Sequence, residues 1–346
     1  MLDLSVNWQD LPSRRQLEDE RGSREMDAPP TPDVQPPWDI PELVVVTAAV
    51  SGRIVREAGI RAPRQYGMDF DSFVDSAVDS ISAGACGIHI DFGGITAIQE
   101  NWSVTDAYAK IIPDISRRAA QDWVRDVNIL RGENFAENVF PISSGLAETA
   151  PMAPNFPVTW MESAAQVVAD RGGRIFFAIH SAAEVDLANR LVLSKDILPG
   201  PSCWIILIGY PYDDATDRLG TYLAHPKAMM SELVQIVDRI KEIDPGAFIQ
   251  VCAAGRAGHY LATAAMLLGL HVRVGTEDTV YRFPHRDEIL SSSAEMVDRA
   301  RATAETLGRR LATAAEFREM VGMDAQTTTA ASEIRVSHTS RQRRNR

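Results

Sequence analysis

From residue 43 to residue 275 the chain alternates short apolar runs with longer stretches whose apolar residues recur every three or four positions. The short runs predict strands at 43–48, 86–91, 138–143, 157–161, 174–180, 203–209, 248–253 and 271–275. They are near-continuous in hydrophobicity rather than alternating, as parallel strands covered on both faces require. The longer stretches carry the helical period. Over 69–83 the apolar positions are Phe70, Phe73, Val74, Ala77, Val78 and Ile81, with Asp69 as N-cap. Over 229–243 they are Met230, Leu233, Val234, Val237 and Ile240. Ser292 with Glu295, and Thr313 with Glu316, have the capping-box spacing before late periodic runs.

Eight strand–helix units predict a closed (β/α)8 TIM barrel. An open doubly wound sheet is the alternative, but the turn after the first run, Ala49-Val50-Ser51-Gly52-Arg53, is no GxGxxG. The barrel is expected over 42–323. Residues 1–41 are polar and broken by Pro29, Pro30, Pro32, Pro36, Pro37 and Pro41, and read as an extended, mostly irregular arm. Within it Trp8, Leu11, Leu17 and Trp38 are apolar enough to dock on a neighbouring surface, including that of a second subunit. Residues 324–346 are polar and end in a basic run, and read as a disordered tail.

Composition narrows the function. With 45% apolar and 24% charged residues in 346, the chain is in the ordinary globular range. A formal charge of −12 argues against nucleic acid as a partner. No apolar run approaches the roughly 20 residues of a membrane helix. Cys86, Cys203 and Cys252 are widely spaced with no CxxC pair, which reads as buried core thiols in a reducing cytoplasm.

In a barrel the chemistry sits at the C-terminal ends of the strands. The polar residues predicted there are Thr47, His89, Asp91, Ser143, Ser144, His180, Glu184, Arg273, Glu277 and Asp278. His89 and Asp91 are two apart on one strand and so share a face. Together with Glu277 on the adjoining last strand they could supply three ligands to a divalent metal with open positions. Glu277 and Asp278 are consecutive, so from an extended chain they point different ways. One can hold metal while the other, steered by Arg273, acts as a general base. Each group also has a bland reading, as a core histidine or a surface ion pair; the convergence of several strand ends favours a site.

Arg273-Val274-Gly275-Thr276-Glu277-Asp278 resembles the RVGxED signature of the β-keto acid cleavage enzymes. The segment from Ala83 to His89, the pair Gly255-Arg256, and Leu307-Gly308-Arg309 with the helix from Ala312 to Arg318 are similar to other parts of that family. The resemblance implies a zinc-dependent, homo-oligomeric (β/α)8 barrel. Such an enzyme takes a β-keto acid and acetyl-CoA and yields acetoacetate and a new acyl-CoA. It implies metal ligands at His89, Asp91 and Glu277, a catalytic aspartate at Asp278 oriented by Arg273, and a substrate-binding serine at Ser143 or Ser144. The sequence also departs from the pattern. Asp91 and Phe92 stand where the family has His and Arg, and Arg53-Ile54 follow Gly52 where an acidic residue is usual. A carboxylate for an imidazole makes the metal site harder, towards Mn²⁺, Fe²⁺ or Mg²⁺. A related barrel lyase or hydrolase on another carbonyl substrate, and a non-catalytic metabolite-binding relative, are the alternatives.

Overall fold

Residues 12–25, 37–50, 70–91, 102–208 and 226–323 are described by the computed structural model. The chain divides into two compact units, Met1–Ile40 and Pro41–Arg346. In the first, Arg14–Glu25 forms helix α1, where an irregular arm was expected. Its long unbranched side chains favour a helix, and Arg14 and Glu18 make an i,i+4 ion pair at 2.7 Å. Leu17 and Trp38 are exposed.

In the second unit, eight parallel strands close into the expected barrel. A short strand β1 (Leu43–Val44) precedes them. The barrel strands are β2 (Val46–Ala49), β3 (Gly87–Ile90), β4 (Val124–Val127), β5 (Thr149–Met152), β6 (Arg174–Ile179), β7 (Cys203–Ile208), β8 (Phe248–Ala253) and β9 (His271–Val274). β9 pairs with β2, Arg273 beside Thr47, and this pairing closes the ring. Because side chains alternate along a strand, each strand feeds two cores. On β6, Ile175, Phe177 and Ile179 pack outwards against the helices, while Phe176 and Ala178 belong to an inner cluster with Ile205, Phe248 and Cys252. Gln250 and Thr47 meet inside the ring at 2.9 Å.

Between the strands lie helices α2 (Phe70–Ser82), α3 (Val104–Arg118), α4 (Phe135–Ser143), α5 (Val158–Asp170), α6 (Ala182–Leu191), α7 (Pro226–Ile243), α8 (Gly258–Leu267), α9 (Ser293–Thr306) and α10 (Ala314–Met320). Phe73, Val74, Ala77 and Ile81 form the buried stripe of α2. The Ser292 cap and the Thr313–Glu316 capping box are both present. None of the helices among the described residues is long and apolar enough to cross a membrane. All three cysteines are free and buried, and burial pushes the thiols of Cys86 and Cys203 up to about 12.

The last helix closes the N-terminal end of the barrel. Phe317 packs against Phe176 and Phe248, and a two-residue strand, β10 (Arg310–Leu311), pairs with β1. Two arginines anchor this closure. Arg309 donates to the carbonyls of Pro41, Leu43, Met266, Gly269 and Leu270. Arg318, 4% exposed, meets the buried Glu148 at 2.7 Å and Asp122 at 2.5 Å.

Two barrel strands are not where the hydrophobicity placed them. Residues 138–143 are the second half of α4, capped by Asn134, which accepts from the Glu137 amide at 3.1 Å. Residues 157–161 are the start of α5. Short apolar runs do not separate strand from helix. The true strands there, β4 and β5, are four residues each. Arg125 and Asp126 in β4, and Pro151 in β5, break their apolar character. Asp69, Phe92, the segment Gly52-Arg53-Ile54, Trp8, Leu11 and the 324–346 tail lie outside the described residues.

Replacing Arg318 by Met removes its hydrogen bonds to Glu148, which keeps the 3.0 Å ion pair to Arg125 and the bond from the Arg125 amide at 3.1 Å. Hydrogen bonds to charged groups are worth about 1.5–3 kcal/mol each, so urea denaturation should show a loss of about 2–3 kcal/mol. An unchanged midpoint would mean that the closing helix does not depend on this contact.

Candidate functional site

At the C-terminal end of the barrel, β9 runs into a tight turn. Gly275 has φ +139°, and a Cβ there would stand 2.1 Å from the Ala49 carbonyl oxygen. Only glycine lets the end of β9 lie this close to β2. The turn is tied down by Glu277 N–H to Ala49 O at 3.3 Å and by Gly255 N–H to Asp278 O at 2.8 Å. Thr276 holds it to α9 through Ser293, hydroxyl to hydroxyl at 2.8 Å. Glu277 and Asp278 therefore diverge. Asp278 turns back onto Arg273, whose Nε and Nη2 donate to its two oxygens at 3.0 and 2.6 Å. Glu277 reaches across the mouth, with Oε1 3.7 Å from Nε2 of His89 and 3.7 Å from Nη2 of Arg273.

His89, on β3, is 2% exposed. Its Nδ1 is 2.6 Å from Oδ2 of Asp126 on β4, and Oδ1 of Asp126 accepts from the Thr149 hydroxyl at 2.7 Å. A carboxylate at Nδ1 holds the proton there and turns the Nε2 lone pair towards Glu277. Asp91, just beyond β3, is gripped by Arg131: Nε to Oδ1 at 2.7 Å and Nη2 to Oδ2 at 2.6 Å. Asn128 adds a third bond, to Oδ2 at 3.1 Å.

Charge decides how these groups behave. Burial pushes the Glu277 carboxyl up; His89 and Arg273 pull it down, Asp278 and Asp91 add to the rise, and it settles at about 8. Burial and Arg273 push the His89 imidazole down, but Glu277 and Asp126 outweigh them and the net direction is up. Burial likewise pushes Asp126 up, and its contacts with His89 and Thr149 more than reverse it. The four carboxylates of Asp91, Asp126, Glu277 and Asp278 face the two guanidiniums of Arg131 and Arg273.

The donor set suits a divalent cation. Ligand atoms of His89, Asp91 and Glu277 all lie within 4.8 Å of one another. Ligands at about 2.1 Å from one ion stand about 3–3.5 Å apart, and the 3.7 Å between His89 and Glu277 is close to that. Oε2 of Glu277 is buried with no hydrogen-bond partner, an expensive state for a carboxylate oxygen. A cation there would supply the missing partner.

The predicted residues do not all gather here. His89, Asp91, Arg273 and Glu277 line one cavity of about 160 Å³. Asp278 is 0% exposed and sits behind Arg273 rather than on the wall. Ser143 and Ser144 are a correction. They end α4, at the opposite end of the barrel from the β-strand C-termini, and their hydroxyls donate to the carbonyls of Phe140 and Pro141 at 3.3 and 3.4 Å. Their expected substrate contact depended on a strand that is a helix. Thr47 lies inside the barrel, bonded to Gln250. His180 follows β6 and pairs with Glu184 at 3.3 Å, off the cavity. Three residues with roles here were not predicted: Asp126, Asn128 and Arg131. Asp126 and Asn128 are two apart, as His89 and Asp91 are, and that repeat of spacing is the signal that could have found them.

Comparison with known proteins identifies the family. A family model described as beta-keto acid cleavage enzyme matches residues 43–323. The chain is 33% identical over 95 residues to the 3-keto-5-aminohexanoate cleavage enzyme of Fusobacterium nucleatum, covering 28% of this chain and 34% of that protein. It is 38% identical over 73 residues to the enzyme of that name from Acetoanaerobium sticklandii, covering 21% of this chain and 26% of that protein. The match thus spans about a third or less of the length of these curated relatives. Among solved structures, apo ObcA superposes with a TM-score of 0.57 at 20% identity, covering 74% of this chain and 65% of that one. ObcA bound to oxaloacetate gives the same score, covering 75% and 67%. At this identity the likeness is one of fold. The family match extends over most of the chain and contains both the barrel and the RVGTED turn: the protein belongs to the beta-keto acid cleavage enzyme family.

Proposed function

We propose that this protein is a metal-dependent β-keto acid cleavage enzyme, exchanging acyl groups between a β-keto acid and acetyl-CoA to give acetoacetate and a new acyl-CoA. The observation that carries the reading is the unpartnered, buried Oε2 of Glu277 beside His89, in a cavity that Arg273 also lines. His89, Glu277 and Asp91 would hold one divalent ion, zinc as the family resemblance implies, or Mn²⁺, Fe²⁺ or Mg²⁺ given the oxygen-rich set. Bound there, the ion would polarise the keto oxygen as a Lewis acid.

The chain's own residues do the rest. Asp126 fixes the His89 ring so that Nε2 faces the ligand set. Arg131 and Asn128 orient Asp91. Arg273 offers a guanidinium to the substrate carboxylate. Asp278 is the general base for the methyl proton of the acetyl thioester. Both its oxygens are held by Arg273 in the free protein, so it becomes available when the anionic substrate draws the guanidinium towards itself. Enclosed acid–base groups commonly reach working geometry only in the complex. A homo-oligomer and a cytoplasmic setting accompany this reading through the family.

Protein purified without chelator should carry one divalent ion per chain by elemental analysis. His89→Ala should lose most of it while its far-ultraviolet circular dichroism stays unchanged. Full occupancy in that variant would remove His89 from the ligand set.

Asp278→Asn should lower kcat by about 10²–10⁴ with metal content unchanged. Arg273→Lys should raise KM as well as lower kcat, since an ammonium cannot make the planar two-point contact. Turnover near wild type in Asp278→Asn would make the Arg273–Asp278 pair purely structural.

A further inference from the structure

The cavity at the barrel mouth has two unlike walls. One arc, from the ends of β3, β4 and β9 and the turn after β9, carries His89, Asp91, Asn128, Arg273 and Glu277. The other, among the described residues, consists of Leu130, Pro151, Ala153, Ala178, Ile205 and Leu207. Pro151 lies on β5, and Ala178 and Ile205 sit side by side on β6 and β7. Leu207 lies two residues beyond Ile205, on the same face. Among the described residues, no charged side chain interrupts this arc. Glu184, the acidic residue at the start of α6, turns back on its own loop. It accepts from the His180 amide and lies 3.3 Å from the His180 ring.

We infer that the keto acid this site accepts has an uncharged hydrocarbon tail and no ammonium or second carboxylate at its far end. The inference rests on the cleavage reading above and deepens it. The carboxylate and keto group of such a substrate belong on the ionic arc, where Arg273 and the ligand set are. The tail then lies across the cavity against the apolar arc. A charged tail would lose its water there and gain no partner among the described residues, at a large cost in free energy. A hydrocarbon tail gains by leaving water. The alanines at 153 and 178 leave room on this wall that larger side chains would fill.

The test compares 3-oxohexanoate, 3-keto-5-aminohexanoate and 3-oxoadipate as substrates of the full-length, metal-loaded protein with acetyl-CoA, following acyl-CoA formation. Binding of the non-cleavable 3-hydroxyhexanoate and its 5-amino counterpart is measured alongside by calorimetry. The apolar-tailed acid should exceed both charged ones in kcat/KM by about 10²-fold or more, and the hydroxy acids should bind in the same order. Ala178→Asp should narrow or invert the preference against the ammonium tail, and Leu207→Glu provides the same reversal if the first variant does not fold. Preference of the wild type for either charged tail overturns this inference and leaves the cleavage reading intact. Binding of the apolar hydroxy acid without turnover of any keto acid overturns the cleavage reading and retains the apolar subsite. Absence of both binding and turnover overturns the two together.

Discussion

The site is organised by the burial of carboxylates around one imidazole. Asp126, Glu277 and Asp91 converge on His89 from β4, the β9 turn and the end of β3. Two guanidiniums stand among them: Arg273, shared between Asp278 and Glu277, and Arg131 on Asp91. Such a cluster holds together only if its charges are nearly balanced, because unpaired charge in a water-poor interior is costly. Burial pushes the Glu277 carboxyl up, against the pull of His89 and Arg273. The orientation of His89 by Asp126 and the position of Arg273 on the cavity wall are parts of this cluster.

The barrel's two ends divide the work. At the N-terminal end, Phe317, Arg309 and Arg318 seal the ring with aromatic packing and with guanidinium bonds to carbonyls and to Glu148. This end contributes rigidity. At the C-terminal end, strand termini bring together polar side chains from segments far apart in the chain. Gly275 links the two functions. It lets β9 approach β2 closely enough to close the barrel, and it starts the turn that separates Glu277 from Asp278.

Asp91 and Arg131 show how a buried carboxylate shapes its surroundings. Just beyond β3, Asp91 brings a carboxylate into a water-poor site. Here that charge is matched by a bidentate arginine from beyond β4, with Asn128 on the same carboxylate. Arginine suits this position because its planar fork matches the carboxylate at two points. The pairing restrains Asp91 and offsets its charge.

Sequence alone determined the class of fold, because alternating buried runs and amphipathic periods have one economical closure when they repeat eight times. It also identified the RVGTED turn and His89, because glycine, arginine and paired acids at a strand end are visible as local patterns. Strands β4 and β5 and the neighbours of His89 were not legible. Arg125 and Asp126 make β4 look like a polar loop, and only the fold supplies Glu148, His89 and Thr149 as the partners that allow those charges to be buried. Ser143 and Ser144 were misplaced for the converse reason: an apolar run of six residues fits a strand or a helix equally well, and the Asn134 cap decides for the helix. Which carboxylate reaches the cavity and which stays behind Arg273 was settled by tertiary structure. A turn's direction depends on long-range contacts, here Ala49, Gly255 and Ser293, that adjacent letters in a sequence do not contain.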